Sequence, residues 1–145
     1  MIAILGLKIS DPKSYENMFY ENIAILADAD HDGEKIATLL VSFFYKFWPK
    51  LFDEGKVRIT RTPIMISSKG KDVKWFYGYD DANEFKEKSS GYHHRYIKGL
   101  ASLTREEYKE VISNPRFDVI TIDKPELFDM MFGPDSDVRK EFIMS

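Results

Sequence analysis

The sequence has 145 residues, a formal charge of −3 from 24 acidic and 21 basic residues, and a hydrophobic fraction of 43%. That length fits one compact domain with a sizeable core, and the near balance of charge excludes nucleic-acid binding by bulk positive charge. With no cysteine, disulfides and thiolate metal sites are excluded. No apolar run reaches the length of a membrane span, and no basic region precedes the short apolar N-terminal stretch. A cytoplasmic protein is expected.

The first twenty residues pass from an apolar segment through Gly6 and the Asp11-Pro12 turn to an amphipathic stretch ending near Asn22. Ile23 to Ala27 is a short continuous apolar run, followed at once by acidic residues and Gly33. That pattern predicts a buried parallel strand ending in a loop. From Glu34 to Phe47, the apolar residues Ile36, Leu39, Leu40, Phe43, Phe44 and Phe47 recur at helical spacing, and Pro49 marks the stop. Val57 to Ile66 predicts a strand interrupted by Pro63, near an edge or a bend. Lys69 to Asp72 predicts a hairpin turn before an aromatic strand from Trp75 to Tyr79. A polar helix follows from Asp81 to Lys88, then a strand from His94 to Ile97. Thr104 with Glu107 three residues on is a capping-box signature, predicting a helix from Arg105 to about Ser113. Phe117 to Ile122 predicts a further strand, and Pro125–Phe132 and Asp137–Met144 two closing helices. Strands alternating with helices give an α/β domain with a mostly parallel sheet flanked by helices.

The segment that carries chemistry is Asp28-Ala29-Asp30-His31-Asp32-Gly33, three carboxylates at alternate positions where a buried strand gives out. In open parallel sheets, sites form outside the carboxyl ends of the strands. A calcium EF-hand loop begins with the same pattern, but its twelfth position is Leu39, not a bidentate Glu, and the preceding segment is strand-like. Two readings stay open on these residues alone. One is a solvated acidic turn without a ligand. The other is a Mg²⁺ site for phosphoryl-transfer chemistry, since oxygen donors without cysteine suit Mg²⁺ better than zinc or copper. His31 bonds a phosphate or caps its loop. The basic residues His93, His94, Arg95 and Lys98 either approach a DNA backbone or form a solvated rim. Lys56, Arg58 and Arg61, and Lys69, Lys71 and Lys74, fit solvated surface better, and the aromatics Phe43, Phe44, Phe47, Trp48 and Phe52 fit core packing better than base stacking.

Ala27 to Gly33 followed by Ile36, Leu39, Leu40, Phe43 and Phe44 resembles the TOPRIM domain of type IIA DNA topoisomerases, a Rossmann-like fold. The likeness continues through Phe47-Trp48-Pro49-Lys50-Leu51 and Thr62-Pro63-Ile64. It runs on through Arg95-Tyr96-Ile97-Lys98-Gly99-Leu100 with Ser102 and Thr104, and ends at Asp137 to Phe142. Within that family the chain is similar to the small TOPRIM-bearing subunits of T-even-type phage enzymes, which would put it in the host cytoplasm. Two departures stand out. The family's Glu-Gly-Asp-Ser segment, whose glutamate joins the aspartates around two Mg²⁺ ions, is absent, and Ala101 stands where the family usually has glycine. Alanine adds a methyl group and disfavours positive φ.

The resemblance implies a single TOPRIM domain over residues 1–145, incomplete at its N-terminal side, with the first strand and the glutamate on a partner chain. It implies one or two Mg²⁺ ions, with Asp28 bridging both positions, Asp30 holding the second, and Asp32 helping or binding through water. Gly33 would allow a tight turn, and Lys98, Gly99 and Arg95 would meet double-stranded DNA. ATP would bind only on another subunit, and the DNA-cleaving tyrosine would lie on a third, so the chain would not be active alone. The starting methionine and terminal helix lead us to expect a natural subunit rather than a fragment. Two rivals are another TOPRIM enzyme, such as a primase or nuclease, and a non-catalytic partner-binding module with a relict acidic loop.

Overall fold

Six short strands, seven α-helices and two 3₁₀ turns are interspersed among the described residues, in line with the α/β class read from the sequence. The computed structural model describes residues 1–144, with all of their side chains except those of Asp129 and Ile143. After a one-turn helix α1 (Ile2–Leu5) come β1 (Ile23–Leu26), α2 (His31–Phe47), α3 (Lys50–Asp53), β2 (Val57–Thr60), β3 (Met65–Lys69) and β4 (Asp72–Phe76). Then follow α4 (Tyr79–Lys88), β5 (His93–Tyr96), α5 (Arg105–Ser113), β6 (Phe117–Val119), α6 (Pro125–Phe132) and α7 (Ser136–Met144). One three-stranded sheet has the order β1-β2-β6 and the other β4-β3-β5. No helix among the described residues is long and apolar enough to cross a membrane.

The chain divides into two units: residues 1–23, 39–58 and from 119 onward in one, residues 24–38 and 59–118 in the other. In the first, Phe44, Trp48, Leu51, Phe52 and Val57 are buried, which confirms core packing for three of the aromatics. Trp48 donates its Nε1–H to Ser14 Oγ at 3.0 Å and to the Asp11 carbonyl at 3.3 Å. The indole thus ties down the Asp-Pro turn, because a buried indole N–H must find an acceptor. Tyr45 meets Phe128 edge-on at 4.5 Å.

In the second unit, Ile64, Met65 and Ala82 form a buried cluster against which Ala29 and Phe76 pack. The strand expected from Val57 to Ile66 is two strands in two sheets: backbone bonding beyond β2 reaches Arg61 N, which donates to Arg116 O, and Pro63, with no N–H to donate, stands before the bonding resumes in the other sheet at Ile64. β3 pairs antiparallel with both β4 and β5, so this sheet departs from the mostly parallel arrangement. The reason is local. Gly70, at φ 60, and Lys71 form a two-residue hairpin loop of the II′ kind, which fixes Lys69 opposite Asp72. Register then runs back to Met65 opposite Phe76, so β4 begins at Asp72, three residues before its aromatic pattern suggested.

The helix α2 starts at His31, and its buried stripe is Gly33, Ala37, Val41 and Phe44, continued past its end by Trp48. Ile36 and Leu39, two of the residues whose spacing predicted the helix, are 55% and 63% exposed. Two apolar stripes share this helix, and periodicity alone gave the bulkier one priority over the one with small residues. By contrast, α5 has the predicted bounds and both halves of its capping box: Glu107 N donates to Thr104 Oγ1, and Thr104 N to Glu107 Oε2.

Trp48→Ala should cost about 3–5 kcal/mol for the lost volume, and Ser14→Ala about 1 kcal/mol for the lost acceptor. Denaturant unfolding of the two variants measures both, and equal costs would contradict the packing described.

Candidate functional site

Asp28 follows β1, where the strand hands over to the loop before α2. Its Oδ1 accepts the backbone N–H of Leu100 at 2.6 Å. Two glycines close in on the same residue. A Cβ on Gly33 would sit 2.8 Å from the Asp28 carbonyl carbon and 2.9 Å from its nitrogen, closer than such atoms approach. A Cβ on Gly99 would sit 2.8 Å from Asp28 Oδ2 and 3.1 Å from its Cγ. Neither glycine has a positive φ. Gly33 lies inside α2, so the turn-forming role expected for it is corrected: glycine is needed there for space, not for a left-handed backbone.

The other two aspartates of the loop do different work. Asp30 Oδ1 accepts the Gly33 N–H at 2.8 Å, which makes Asp30 the N-terminal cap of α2. Asp32 lies on the first turn, 87% exposed, with its Oδ1 3.7 Å from Lys35 Nζ. His31 Nδ1 is 3.5 Å from Glu34 Oε2, on the surface, and does not cap the helix. Among the described residues, no three of the His, Asp and Glu side chains converge as a metal-holding group. The donors that are present still fit Mg²⁺ chemically. They are oxygens, and Mg²⁺ commonly takes only one or two carboxylates while keeping waters and phosphate oxygens. Asp28 and Asp30 each retain one carboxylate oxygen beyond the hydrogen bond that orients them.

Beside Asp28 opens a pocket of about 530 Å³, lined by Thr60, Arg61, Thr62 and Tyr77 among others. Arg61 donates from Nε and Nη2 to both oxygens of Asp118, each at 2.6 Å. That fork holds the Asp118 carboxyl below its usual range and raises the Arg61 guanidinium. Tyr77 is pushed up by burial, with Arg116 over its ring at 4.2 Å.

The residues expected to meet DNA fall into two groups. Lys98 is exposed and makes no salt bridge among the described residues. Arg95 instead donates Nη1–H to the Ser102 carbonyl at 2.8 Å and Nη2–H to Glu107. His94 pairs through Nδ1 with Ser67 Oγ at 2.9 Å, while His93 is exposed. The expected cluster of four is therefore divided by strand alternation and internal bonding. Ala101 sits in a one-turn 3₁₀ segment (Leu100–Ser102) without positive φ, so its methyl group is accommodated. Sequence reasoning did not identify the Leu100 N–H or the Arg61–Asp118 pair. The first is a backbone group and carries no residue-type signal, and the second joins residues 57 apart.

No family model matches the chain. It is 42% identical over 130 residues to the DNA topoisomerase small subunit of Enterobacteria phage T4, covering 88% of this chain and 81% of that protein. It is 34% identical to a putative mitochondrial DNA topoisomerase 2 of Caenorhabditis elegans, covering 99% of this chain but 13% of that one. The DNA topoisomerase 2-beta of Gallus gallus is 34% identical over 121 residues, with 79% and 7% covered. A solved structure of the Plasmodium falciparum topoisomerase II DNA-binding, cleavage and re-ligation domain superimposes with a TM-score of 0.79 at 28% identity, over 97% of this chain and 21% of that one. The chain thus spans most of the phage protein and less than a quarter of the longer ones.

Gly33→Ala should destabilise the fold by about 1–3 kcal/mol, because overpacking against Asp28 outweighs the gain in helix propensity of up to about 1 kcal/mol. An unchanged or raised unfolding midpoint would show that the loop gives way freely. A second expectation concerns acid. Burial pushes Glu107 up, but hydrogen bonds from Arg95 and from the Thr104 N–H outweigh it and hold the carboxyl below its ordinary 4.5. A folded-state value below the unfolded one gives stability that is present above the unfolded value and lost as pH falls through the folded one. The stability advantage of wild type over Glu107→Gln should therefore shrink below about pH 4.5, which unfolding curves at stepped pH will measure.

Proposed function

The chain belongs to the type II DNA topoisomerase family, and from that premise we propose that it supplies the metal-binding aspartates at which such an enzyme reversibly breaks both strands of DNA. The observation that carries this reading is the Asp28 carboxylate, fixed by the Leu100 N–H and by two glycines beside an open pocket. Other exposed aspartates here, Asp11 and Asp135, accept backbone N–H bonds only from two residues away, whereas the donor to Asp28 comes from 72 residues along the chain. Carboxylates that hold a metal are themselves commonly oriented by hydrogen bonds.

Asp28 and Asp30 would hold Mg²⁺, one ion or two, with a glutamate from a partner chain. The ion would stabilise charge developing on the scissile phosphate and on the leaving oxygen. Asp28 keeps a fixed direction through Leu100, and Asp30 is held by its cap on α2. Asp32, exposed and beside Lys35, would act through water. Lys98, free of internal ion pairs among the described residues, would meet a DNA backbone phosphate. ATP would be bound on a second subunit, and the nucleophilic tyrosine would come from a third.

A second reading has its own support. The cap made by Asp30 and the Asp32–Lys35 pair account for two of the three acids without any ligand, as a partner-binding module would require. It leaves the support around Asp28 unexplained.

The test is ATP-dependent relaxation of supercoiled plasmid in Mg²⁺, with this chain assembled with ATPase-bearing and tyrosine-bearing chains. Asp28→Asn should lower the rate by at least about a hundredfold without preventing assembly. The isolated chain should bind Mg²⁺ only weakly. Equal rates for wild type and Asp28→Asn, or relaxation with this chain omitted, would leave only the partner-binding role.

A further inference from the structure

Arg95 was expected to touch DNA, yet its guanidinium is committed inside its own unit. The residue stands on β5 opposite Ile66 of β3, with its side chain 35% exposed and that of Glu107 19% exposed. From there it donates to the Ser102 carbonyl and to Glu107, so one planar group ties the end of a short turn to the first turn of α5. The turn itself is closed by three bonds. Ser102 N and Ser102 Oγ both donate to the Gly99 carbonyl, at 2.9 and 2.6 Å, and Leu103 N donates to Leu100 O at 3.1 Å. Its N-terminal side is held where Ile97 N donates to Ile64 O at 2.8 Å. The clamped turn reaches the acidic loop through the N–H of Leu100, which donates to Asp28 Oδ1.

We propose that Arg95 is a positioning residue for the metal site: through Ser102 and Glu107 it holds the Gly99–Ser102 turn so that the Leu100 N–H fixes the Asp28 carboxylate. The inference rests on the metal-binding role of Asp28 proposed above. A guanidinium already paired with a carboxylate presents little net charge to a phosphate. It also suits this task better than an ammonium would, because two acceptors in different directions need the fixed fork of arginine. Lys98, exposed and two residues beyond the end of β5, is left as the DNA contact of the segment. Orientation of a metal-binding carboxylate by an outer partner commonly changes metal affinity 10- to 100-fold, and that sets the effect expected here.

The experiment pairs a readout on the chain alone with one on the assembled enzyme. In nitrogen-resolved NMR of the full chain, Asp28→Ala identifies how far the Leu100 amide proton moves when its acceptor is lost. Arg95→Met should move that proton in the same direction and speed its exchange with water, while Lys98→Ala should leave it in place. In the assembled enzyme, Arg95→Met should raise the Mg²⁺ concentration for half-maximal DNA cleavage about tenfold, with DNA binding in the absence of divalent ions unchanged. Arg95→Lys, which keeps the charge and one of the two bonds, should fall between, and it serves as the informative variant if Arg95→Met unfolds. A Leu100 amide untouched by both Arg95 variants, together with weaker DNA binding, would overturn the proposal and return Arg95 to the DNA surface. A displaced amide with an unaltered Mg²⁺ requirement would uphold the clamp but overturn the metal role of Asp28 on which the inference rests.

Discussion

A single backbone N–H, donated across 72 residues of sequence from Leu100 to Asp28, is the constraint around which the candidate site is arranged. An ionised carboxylate gains more from such a donor than a neutral acceptor does, and the bond fixes the direction of the oxygen that remains. The geometry works only if the chain comes close on both sides of the residue. Gly33 lies against its backbone, where a methyl group has no room, and Gly99 lies against its carboxylate, which a methyl group would displace. Both glycines sit at ordinary backbone angles, so their service is space. That distinguishes them from Gly70, whose positive φ makes the β3–β4 hairpin and whose missing Cβ would touch nothing.

Three acids at alternate positions repel one another, and the fold relieves them by giving each a different neighbour. Asp28 has the Leu100 N–H, Asp30 the unpaired N–H of the first turn of α2, and Asp32 the nearby Lys35. All three also lie at the N-terminus of a 17-residue helix, where the aligned peptide dipoles favour negative charge. An N-cap of this kind is worth about 1 kcal/mol, so Asp30 has a structural reason to be aspartate whatever else it binds. Asp28 is the residue for which helix stability offers no account, since it precedes the cap. The pattern of alternating acids therefore mixes a stability signal with a functional one.

How far this was legible in the sequence depends on the range of the interaction. The helix α5 was read to the residue because its start signal, Thr104 with Glu107, acts over three positions. Pro63 disclosed the break between β2 and β3 for an equally local reason, the missing donor. The start of β4 was misread because a two-residue turn, not the aromatic pattern, sets register in a hairpin. Ile36 and Leu39 helped to predict α2 and yet lie exposed, because periodicity reports that a helix has an apolar stripe but not which of two stripes becomes buried. The acidic loop could be picked out by residue type, yet the support of Asp28 and the fork between Arg61 and Asp118 come from distant segments and left no local mark.

The division of labour between Arg95 and Lys98 follows from the same distinction between local charge and long-range bonding. A chain with a net charge of −3 has no general attraction for DNA, so each cation near the site matters for where its charge is directed. The sequence grouped Arg95, His93, His94 and Lys98 as one basic cluster, with Lys98 favoured because it stands in the family-like segment. Strand alternation along β5 separates neighbouring side chains onto opposite faces, His94 is taken up by Ser67, and Glu107 takes up Arg95. His93 and Lys98 stay exposed, and of the two it is the lysine, on its flexible stem, that carries a full charge suited to a phosphate whose exact position varies, while the rigid fork of arginine is committed to a turn whose position must not vary. On the proposed function, precision is thus concentrated at the carboxylate that meets the metal, and tolerance at the cation that meets the DNA.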